Sequence, residues 1–266
     1  VTETFAYNAA NELTSEAVGG TATSFSYDQF GRMTQKTKSA STATYHYHYG
    51  DKLSKVESNF NGEGTVTYAY GGDQKRRSRA VSGGDTIKYR YGQGWDVLNE
   101  EDGSGTLQAT YIHHPGRQIG TVLATSEGST ASSGTWRYYF QDAIGSTRGV
   151  WDEVAVRAGK YEYTPFGGKY ADHGDEISRK FTGHDWDSEA RLYCTAYRYY
   201  SPDSNRWLTR DPLGMVDGPN VYAYVVNNPV ALVDAFGRYS LPITMAGVWA
   251  SMELVLSALD LWSTLD

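Results

Sequence analysis

Two aspartates near the end of this 266-residue chain are the residues best placed to do chemistry. Asp211 and Asp234 are 23 positions apart, and each is followed within three residues by a glycine, Gly214 or Gly237. Two neighbouring carboxyl groups do not both ionise readily, so one keeps a proton while the other is anionic. The anion activates a water molecule, and the neutral acid protonates a leaving amide. This chemistry requires the two groups to lie within about one water molecule of each other.

The same residues also have a purely structural interpretation. Asp-Pro and Asn-Pro pairs favour the start of a turn, and the chain contains both Asp211-Pro212 and Asn228-Pro229. Between these pairs lies a tyrosine-rich stretch at residues 220–226, which is typical of a strand. Spacing alone leaves both interpretations open.

Composition indicates many short strands rather than helices. The chain has 22 Tyr and 29 Gly but only 39% hydrophobic residues. Tyrosine favours half-buried pleated surfaces, and glycine supplies turns and bulges. The formal net charge of −7 argues against a nucleic-acid partner, which needs a basic surface. Cys194 is the only cysteine, so no intrachain disulfide framework is expected.

A repeat of about 20 residues runs through the first half of the chain. Tyr7, Tyr27 and Tyr47 follow one another at 20-residue intervals, and in residues 43–49 every second position from 45 onward is a tyrosine. Alternation places one row of side chains on one face of a strand, and a unit of this length buries its face only against neighbours. The pattern predicts an all-β fold of stacked antiparallel β-hairpins. An ordinary antiparallel sandwich is the alternative.

The chain resembles bacterial Rhs and YD-repeat proteins, including the C components of Tc toxins. One part of the resemblance is Tyr27-Asp28-Gln29-Phe30-Gly31-Arg32, which is similar to a YD repeat. The other part is an ordered run that is similar to the core-associated region of this family: Phe181-Thr182-Gly183-His184-Asp185, Leu192-Tyr193-Cys194-Thr195-Ala196-Tyr197-Arg198-Tyr199-Tyr200-Ser201-Pro202, Arg206-Trp207-Leu208 and Arg210-Asp211-Pro212-Leu213-Gly214. The resemblance covers residues 1–238.

The resemblance implies a division into three parts. Residues 1–160 are expected to be a YD-repeat segment of a spiral β-shell, and residues 161–238 the core-associated region with its Asp-Pro-x-Gly motif. Residues 239–266 are expected to begin the variable passenger region as a short α-helix. A narrow polar stripe on an otherwise apolar stretch favours burial of this helix against protein, so membrane contact of residues 241–262 is not expected.

The resemblance also assigns roles around the two aspartates. It implies that Asp211 and Asp234 are the catalytic pair of a self-cleaving aspartic-type autoprotease, with Arg210 holding a carboxylate through a bidentate contact. The bond to be cut is then Arg238–Tyr239. The structural residues of the two motifs are Pro212, Gly214, Asn228, Pro229 and Gly237.

Three positions depart from the pattern of the family. The second motif has Ala235 where proline is usual and Arg238 where leucine precedes the cut, and Met215 stands where leucine is common. Burial of an unpaired arginine charge is costly. Active self-cleavage and a silenced site are therefore both open.

The implied function is encapsulation and delivery of a C-terminal toxin by a secreted or cell-surface bacterial protein. The expected partners are the enclosed passenger polypeptide and a secretion-system or Tc-toxin B-like component. No cofactor is expected, and the histidines show no metal-ligand spacing. The sequence carries no targeting signal and is interpreted as a fragment or processed piece. The alternative is a non-enzymatic YD-type scaffold for cell-surface adhesion or carbohydrate contact.

Overall fold

A computed structural model describes residues 2–60, 64–92, 94–114, 121–130 and 132–242. The chain forms two compact units. The first unit consists of residues 1–87, 187–227 and 236–239. The second consists of residues 88–186, 228–235 and 240–266.

Sixteen strands follow one another along residues 3–174. Their bounds are β1 Glu3–Tyr7, β2 Leu13–Val18, β3 Thr21–Tyr27, β4 Met33–Lys38, β5 Ser41–Tyr47, β6 Leu53–Ser58, β7 Thr65–Tyr70, β8 Arg76–Val81, β9 Thr86–Tyr91, β10 Val97–Asp102, β11 Leu107–His113, β12 Val122–Glu127, β13 Thr135–Gln141, β14 Thr147–Asp152, β15 Arg157–Tyr163 and β16 Lys169–Gly174. Within each unit, these strands pair antiparallel with their neighbours in the chain.

A recurring turn joins the two strands of many hairpins. In the turn between β3 and β4, Asp28 Oδ1 accepts hydrogen bonds from the backbone N–H groups of Phe30 at 2.9 Å and Arg32 at 3.0 Å. Gly31, at φ 77°, supplies the left-handed residue of this turn. Equivalent acceptors two and four residues before their donors are Asn8, Asp102, Asp142 and Asp152. The aspartate of the YD pattern is therefore the side chain that closes the turn.

Each of these turns is followed by one extra residue in the second strand of the hairpin. Tyr27 pairs with Met33, and the register shifts between Ser26 and Tyr27. The same shift occurs before Tyr7 and Tyr47. The irregularity is a β-bulge, which increases local twist. Tyr7, Tyr27 and Tyr47 thus mark the ends of β1, β3 and β5.

The core of the first unit lies between the hairpin strands and residues 190–208. It contains buried residues from alternating strand positions together with residues from the later segment, namely Leu13, Phe25, Met33, Ala43, Tyr45, Leu53, Val56, Val66, Tyr68, Ala190, Leu192, Tyr199 and Leu208. A backbone hydrogen bond of 2.8 Å from Met33 N–H to the Leu208 carbonyl joins the two parts. Burial of this apolar surface is the main favourable term for the unit.

A row of buried tyrosines marks the core of the second unit. Tyr111, Tyr139 and Tyr161 are 6%, 4% and 1% exposed. Buried phenol groups need hydrogen-bond partners, and Tyr161 donates to the Asp175 carbonyl at 2.5 Å. Tyr111 lies 3.0 Å from the Ser178 hydroxyl.

The segment after residue 174 has short strands and turns. Its strands are β17 Asp185–Asp187, β18 Leu192–Cys194, β19 Tyr199–Ser201, β20 Arg206–Trp207, β21 Leu232–Val233 and β22 Leu241–Pro242. Single 3-10 turns in this segment occur at Phe181–Gly183 and Val225–Asn227. Another, at Tyr49–Asp51, lies between β5 and β6. In the first unit, β19 pairs with β18 and β20. In the second, β21 pairs with β22.

The prediction of an all-β chain built from stacked antiparallel hairpins of the β-shell type is confirmed. The predicted helix in residues 239–266 lies almost wholly outside the described residues, which end at Pro242 in β22. None of the described helices is long and apolar enough to span a membrane. The division at residues 160 and 161 stays a prediction, and the β15–β16 hairpin spans it.

Asp28→Ala is expected to lower the free energy of unfolding by about 1–2 kcal/mol. The substitution leaves two turn N–H groups without their acceptor and removes the 2.7 Å contact from the Arg32 guanidinium. Urea unfolding followed by tryptophan fluorescence measures the change. Asp85→Ala, at an exposed turn aspartate, is the control and should change stability by less than about 0.5 kcal/mol. Equal effects of the two substitutions would contradict this role for the YD aspartate.

Candidate functional site

The Asp211 carboxylate starts a tight turn, as the structural interpretation of the Asp-Pro pair predicts. Its Oδ1 accepts a 2.8 Å hydrogen bond from Leu213 N–H, and its backbone carbonyl accepts one of 3.0 Å from Gly214 N–H. Gly214 has φ 73°, a conformation that favours glycine. The side chain contributes only Oδ1 to this turn, so Oδ2 makes a separate contact.

The second oxygen of Asp211 is held by Arg198. The distance from Arg198 Nη2 to Asp211 Oδ2 is 2.6 Å, and the two side chains are 2% and 6% exposed. A short ion pair at this depth is only slightly screened by water and salt. Burial raises the pKa of Asp211, and the Arg198 guanidinium opposes that rise without cancelling it. The carboxyl group is therefore easier to protonate than an ordinary aspartate.

Arg198 also binds the backbone next to the predicted cut. Its Nε donates to the Gly237 carbonyl at 2.7 Å, and its Nη1 donates to the Val221 carbonyl at 3.3 Å. The guanidinium carbon lies 4.2 Å from the centre of the Trp207 ring, so an aromatic face covers the cation. One side chain thus joins the Asp211 carboxylate to a carbonyl one residue before Arg238.

Gly237 can make this contact because it lacks a side chain. Its φ is 77°, and a Cβ there would collide with the Thr195 hydroxyl and lie 3.1 Å from the Arg198 nitrogen. The preceding carbonyl, of Phe236, accepts a 3.0 Å hydrogen bond from Tyr197 N–H. Residues 236 and 237 are therefore fixed against the segment that carries Arg198.

Comparisons with known proteins find an RHS repeat near the start of the chain and relatives that cover much more of it. The RHS Repeat family model matches residues 7–44. The tRNA3(Ser)-specific nuclease WapA of Bacillus spizizenii is 28% identical over 232 residues, which cover 84% of this chain and 9% of WapA. Toxin protein Tse5 of Pseudomonas aeruginosa is 39% identical over 76 residues, which cover 29% of this chain and 6% of Tse5.

A solved structure has the same fold. The crystal structure of TcdB2-TccC3-Cdc42 superposes with a TM-score of 0.58 at 18% identity, over 95% of this chain and 16% of that one. The match to the RHS Repeat model, the similarity to the toxin protein Tse5 and the shared fold are consistent with one another. The chain carries an RHS repeat and is similar to Rhs/YD-repeat proteins. It spans less than a tenth of the length of the WapA and Tse5 relatives, so it represents a small part of proteins of that kind.

Asp234 of this Rhs/YD-repeat chain is buried in the second unit, with 1% exposure. The His184 ring makes a hydrogen bond to the backbone of Asp234. Burial, and to a smaller extent the Arg179 charge, lower the pKa of His184 to about 3, so the ring is neutral near pH 7. Asp211 belongs to the first unit, and the meeting of the two carboxyl groups stays a prediction.

Arg210, the predicted carboxylate holder, contacts a different acid. Its Nη2 lies 3.2 Å from Glu12 Oε1, and its Nε donates to the Tyr222 hydroxyl at 3.2 Å. The same tyrosine donates to the Gly31 carbonyl at 2.8 Å. Arg210 therefore fastens the Asp-Pro segment to the turns of the YD repeats, while Arg198 holds Asp211.

Aromatic rings surround the predicted cleavage site. The Arg238 guanidinium lies 4.4 Å from the centre of the Tyr197 ring, and the Phe236 and Tyr239 rings stack at 6.1 Å. A cation over an aromatic face recovers part of its hydration energy. The expected cost of Arg238 at this position is thus reduced by Tyr197.

The remaining motif residues shape the chain between the two aspartates. Pro229 is buried, and the Asn228 carbonyl accepts hydrogen bonds from Ala231 N–H at 3.3 Å and Leu232 N–H at 3.1 Å. Both residues lie in the second unit and act as turn formers. Among the described residues, no group of three His, Cys, Asp or Glu side chains is arranged to hold a metal ion.

Sequence reasoning missed Arg198. It stands in the aromatic stretch Tyr197-Arg198-Tyr199-Tyr200, where alternation predicts a half-buried strand. An arginine at such a position is rarely buried without an acid partner. That signal identifies Arg198 as paired, but it does not identify which aspartate pairs with it.

Proposed function

We propose that this chain is part of an Rhs-type shell that encloses and delivers a C-terminal toxin, and that it cuts itself after Arg238. The name of the relative Tse5, a toxin protein, supports a toxin, and the repeat match and fold support a shell. A B-like component is the proposed assembly partner, since the structure with the same fold contains TcdB2 beside TccC3. A secreted or cell-surface location follows from delivery.

One observation carries the self-cleavage proposal: Arg198 joins Asp211 to the Gly237 carbonyl. The bridge places an acid with a raised pKa beside the segment that contains the predicted bond. Asp234 is the second acid of the proposal, which requires the two carboxyl groups to share one proton. Such a shared proton belongs to the pair rather than to either residue.

The proposed reaction is hydrolysis of the Arg238–Tyr239 amide. The anionic carboxylate takes a proton from water, and the water oxygen forms a bond to the Arg238 carbonyl carbon. The protonated carboxyl group then gives its proton to the Tyr239 nitrogen as the carbon–nitrogen bond breaks. The products are a carboxylate at Arg238 and an amine at Tyr239. Arg198 keeps the backbone before the bond in place.

The test is intact mass spectrometry of the purified chain, with Asp211→Asn and Asp234→Asn beside the wild type. We expect the wild type to divide into residues 1–238 and 239–266, and each variant to stay whole because it lacks one carboxyl group. Asp73→Asn, at an exposed turn aspartate, is the matched control and should divide like the wild type. A single uncut mass for the wild type after prolonged incubation would overturn self-cleavage and leave the shell role in place.

A further inference from the structure

A pocket of about 480 Å³ opens in the first unit beside strands β2–β5. Its charged lining residues are Glu16, Lys36, Lys38, Arg191 and Asp203. The residues around Asp211 and Arg198 do not line it. Its volume lies in the range of roughly 300–1,000 Å³ that is typical of small-molecule sites.

A network of ion pairs fixes one wall of the pocket. Lys36, which is 9% exposed, places Nζ 3.1 Å from Asp203 Oδ2. Arg191 makes two contacts with the same carboxylate, at 3.3 and 3.2 Å. The Lys36 ammonium also lies 5.4 Å from the centre of the Phe60 ring. These contacts fix the positions of the charges and of the aromatic ring before any ligand arrives.

Hydroxyl groups also line the pocket. Thr23, Ser39 and Ser41 line it together with the exposed Lys38. Burial raises the pKa of Glu16, although Lys36, a hydrogen bond with Thr23, and Lys38 lower it. With three cations and two carboxylates among the lining residues, the pocket carries a net charge of +1.

We propose that this pocket binds a monosaccharide that carries a carboxylate, such as a uronic acid. The net positive charge and Lys38 suit the sugar carboxylate. The Glu16 and Asp203 oxygens and the hydroxyl groups of Ser39 and Ser41 suit the sugar hydroxyls, which both donate and accept hydrogen bonds. Phe60 offers an apolar face. The two carboxylates disfavour a doubly charged phosphate by like-charge repulsion, so a free phosphate is not the ligand.

The test is isothermal titration of the whole chain with D-glucuronate, D-glucose, acetate and inorganic phosphate as separate probes. D-glucuronate is expected to bind at least about tenfold more tightly than each of the others, since only it satisfies both the cation and the hydroxyl partners. Binding of glucose equal to that of glucuronate would overturn the charge assignment. Binding of acetate or phosphate equal to that of glucuronate would overturn the sugar assignment.

The variant Lys38→Gln tests whether glucuronate binds in this pocket. Lys38 is exposed, so the variant is expected to fold and to weaken glucuronate binding about fivefold to tenfold. The control is Lys55→Gln on β6, a lysine that does not line the pocket and should leave binding unchanged. An unchanged affinity in Lys38→Gln would overturn the site. None of these results depends on self-cleavage.

Discussion

Arg198→Met is expected to lower the free energy of unfolding by about 3–5 kcal/mol and to abolish self-cleavage. The substitution leaves the buried Asp211 carboxylate without its cation, and an uncompensated buried charge costs about that much. It also removes the donors to the Gly237 and Val221 carbonyls. Methionine keeps much of the side-chain length and packs over Trp207. Urea unfolding measures the loss, and intact mass spectrometry measures cleavage.

Two further variants separate the charge effect from a packing effect. Arg198→Met combined with Asp211→Asn removes both charges and should recover part of the lost stability, as a double-mutant cycle reports. Arg77→Met removes an exposed arginine that contacts Asp73 at 2.6 Å, and should cost less than about 1 kcal/mol. If Arg198→Met cost no more than Arg77→Met, the bridge would not be a stabilising element.

Acid is expected to destabilise the chain through His184. Its folded-state pKa of about 3 lies below its ordinary 6.5, so the unfolded state binds more protons between these values. The contribution of His184 is fully present above pH 6.5 and is lost as the pH falls through about 3. The loss is on the order of 5 kcal/mol in total, at about 1.4 kcal/mol per pH unit. Urea unfolding between pH 7 and pH 4 measures about 3.5 kcal/mol of this loss, since that range covers about 2.5 of the pH units.

The difference between the wild type and His184→Gln isolates this residue from the carboxylates that also titrate. Glutamine keeps a hydrogen-bonding group but carries no titratable proton, so the variant should lose less stability than the wild type on acidification. His173→Gln, at an exposed histidine of the same unit, should follow the wild type. Parallel curves for His184→Gln and the wild type would exclude His184 as the source.

The hairpins could be predicted from the sequence because their causes are local. Tyr27 and Asp28 are adjacent in the chain, and the turn that they mark closes within four residues. Alternation in residues 43–49 then gives the buried face of β5. Such signals depend only on near neighbours, so a single sequence contains them.

The arginine of the candidate site could not be predicted, because its cause is tertiary. The resemblance assigned the role of carboxylate holder to Arg210, whereas Arg198 reaches Asp211 from 13 positions away. That contact exists only when the segment that leads into strand β19 packs against the turn at Asp211. The pocket beside Lys36 could not be predicted from the sequence either, because Lys36 and Asp203 are 167 positions apart.

The first unit is built from segments that lie far apart in the chain, so its parts are synthesised at different times. Residues 1–87 are made early, but the Tyr222 hydroxyl binds the Gly31 carbonyl across 191 positions. At about 5–20 residues per second, the early hairpins wait roughly 5–20 s for residues 187–227. The arginine bridge needs Gly237, which emerges later still. The proposed cut therefore cannot precede closure of the unit. The rate of translation sets the earliest time at which the cut can occur.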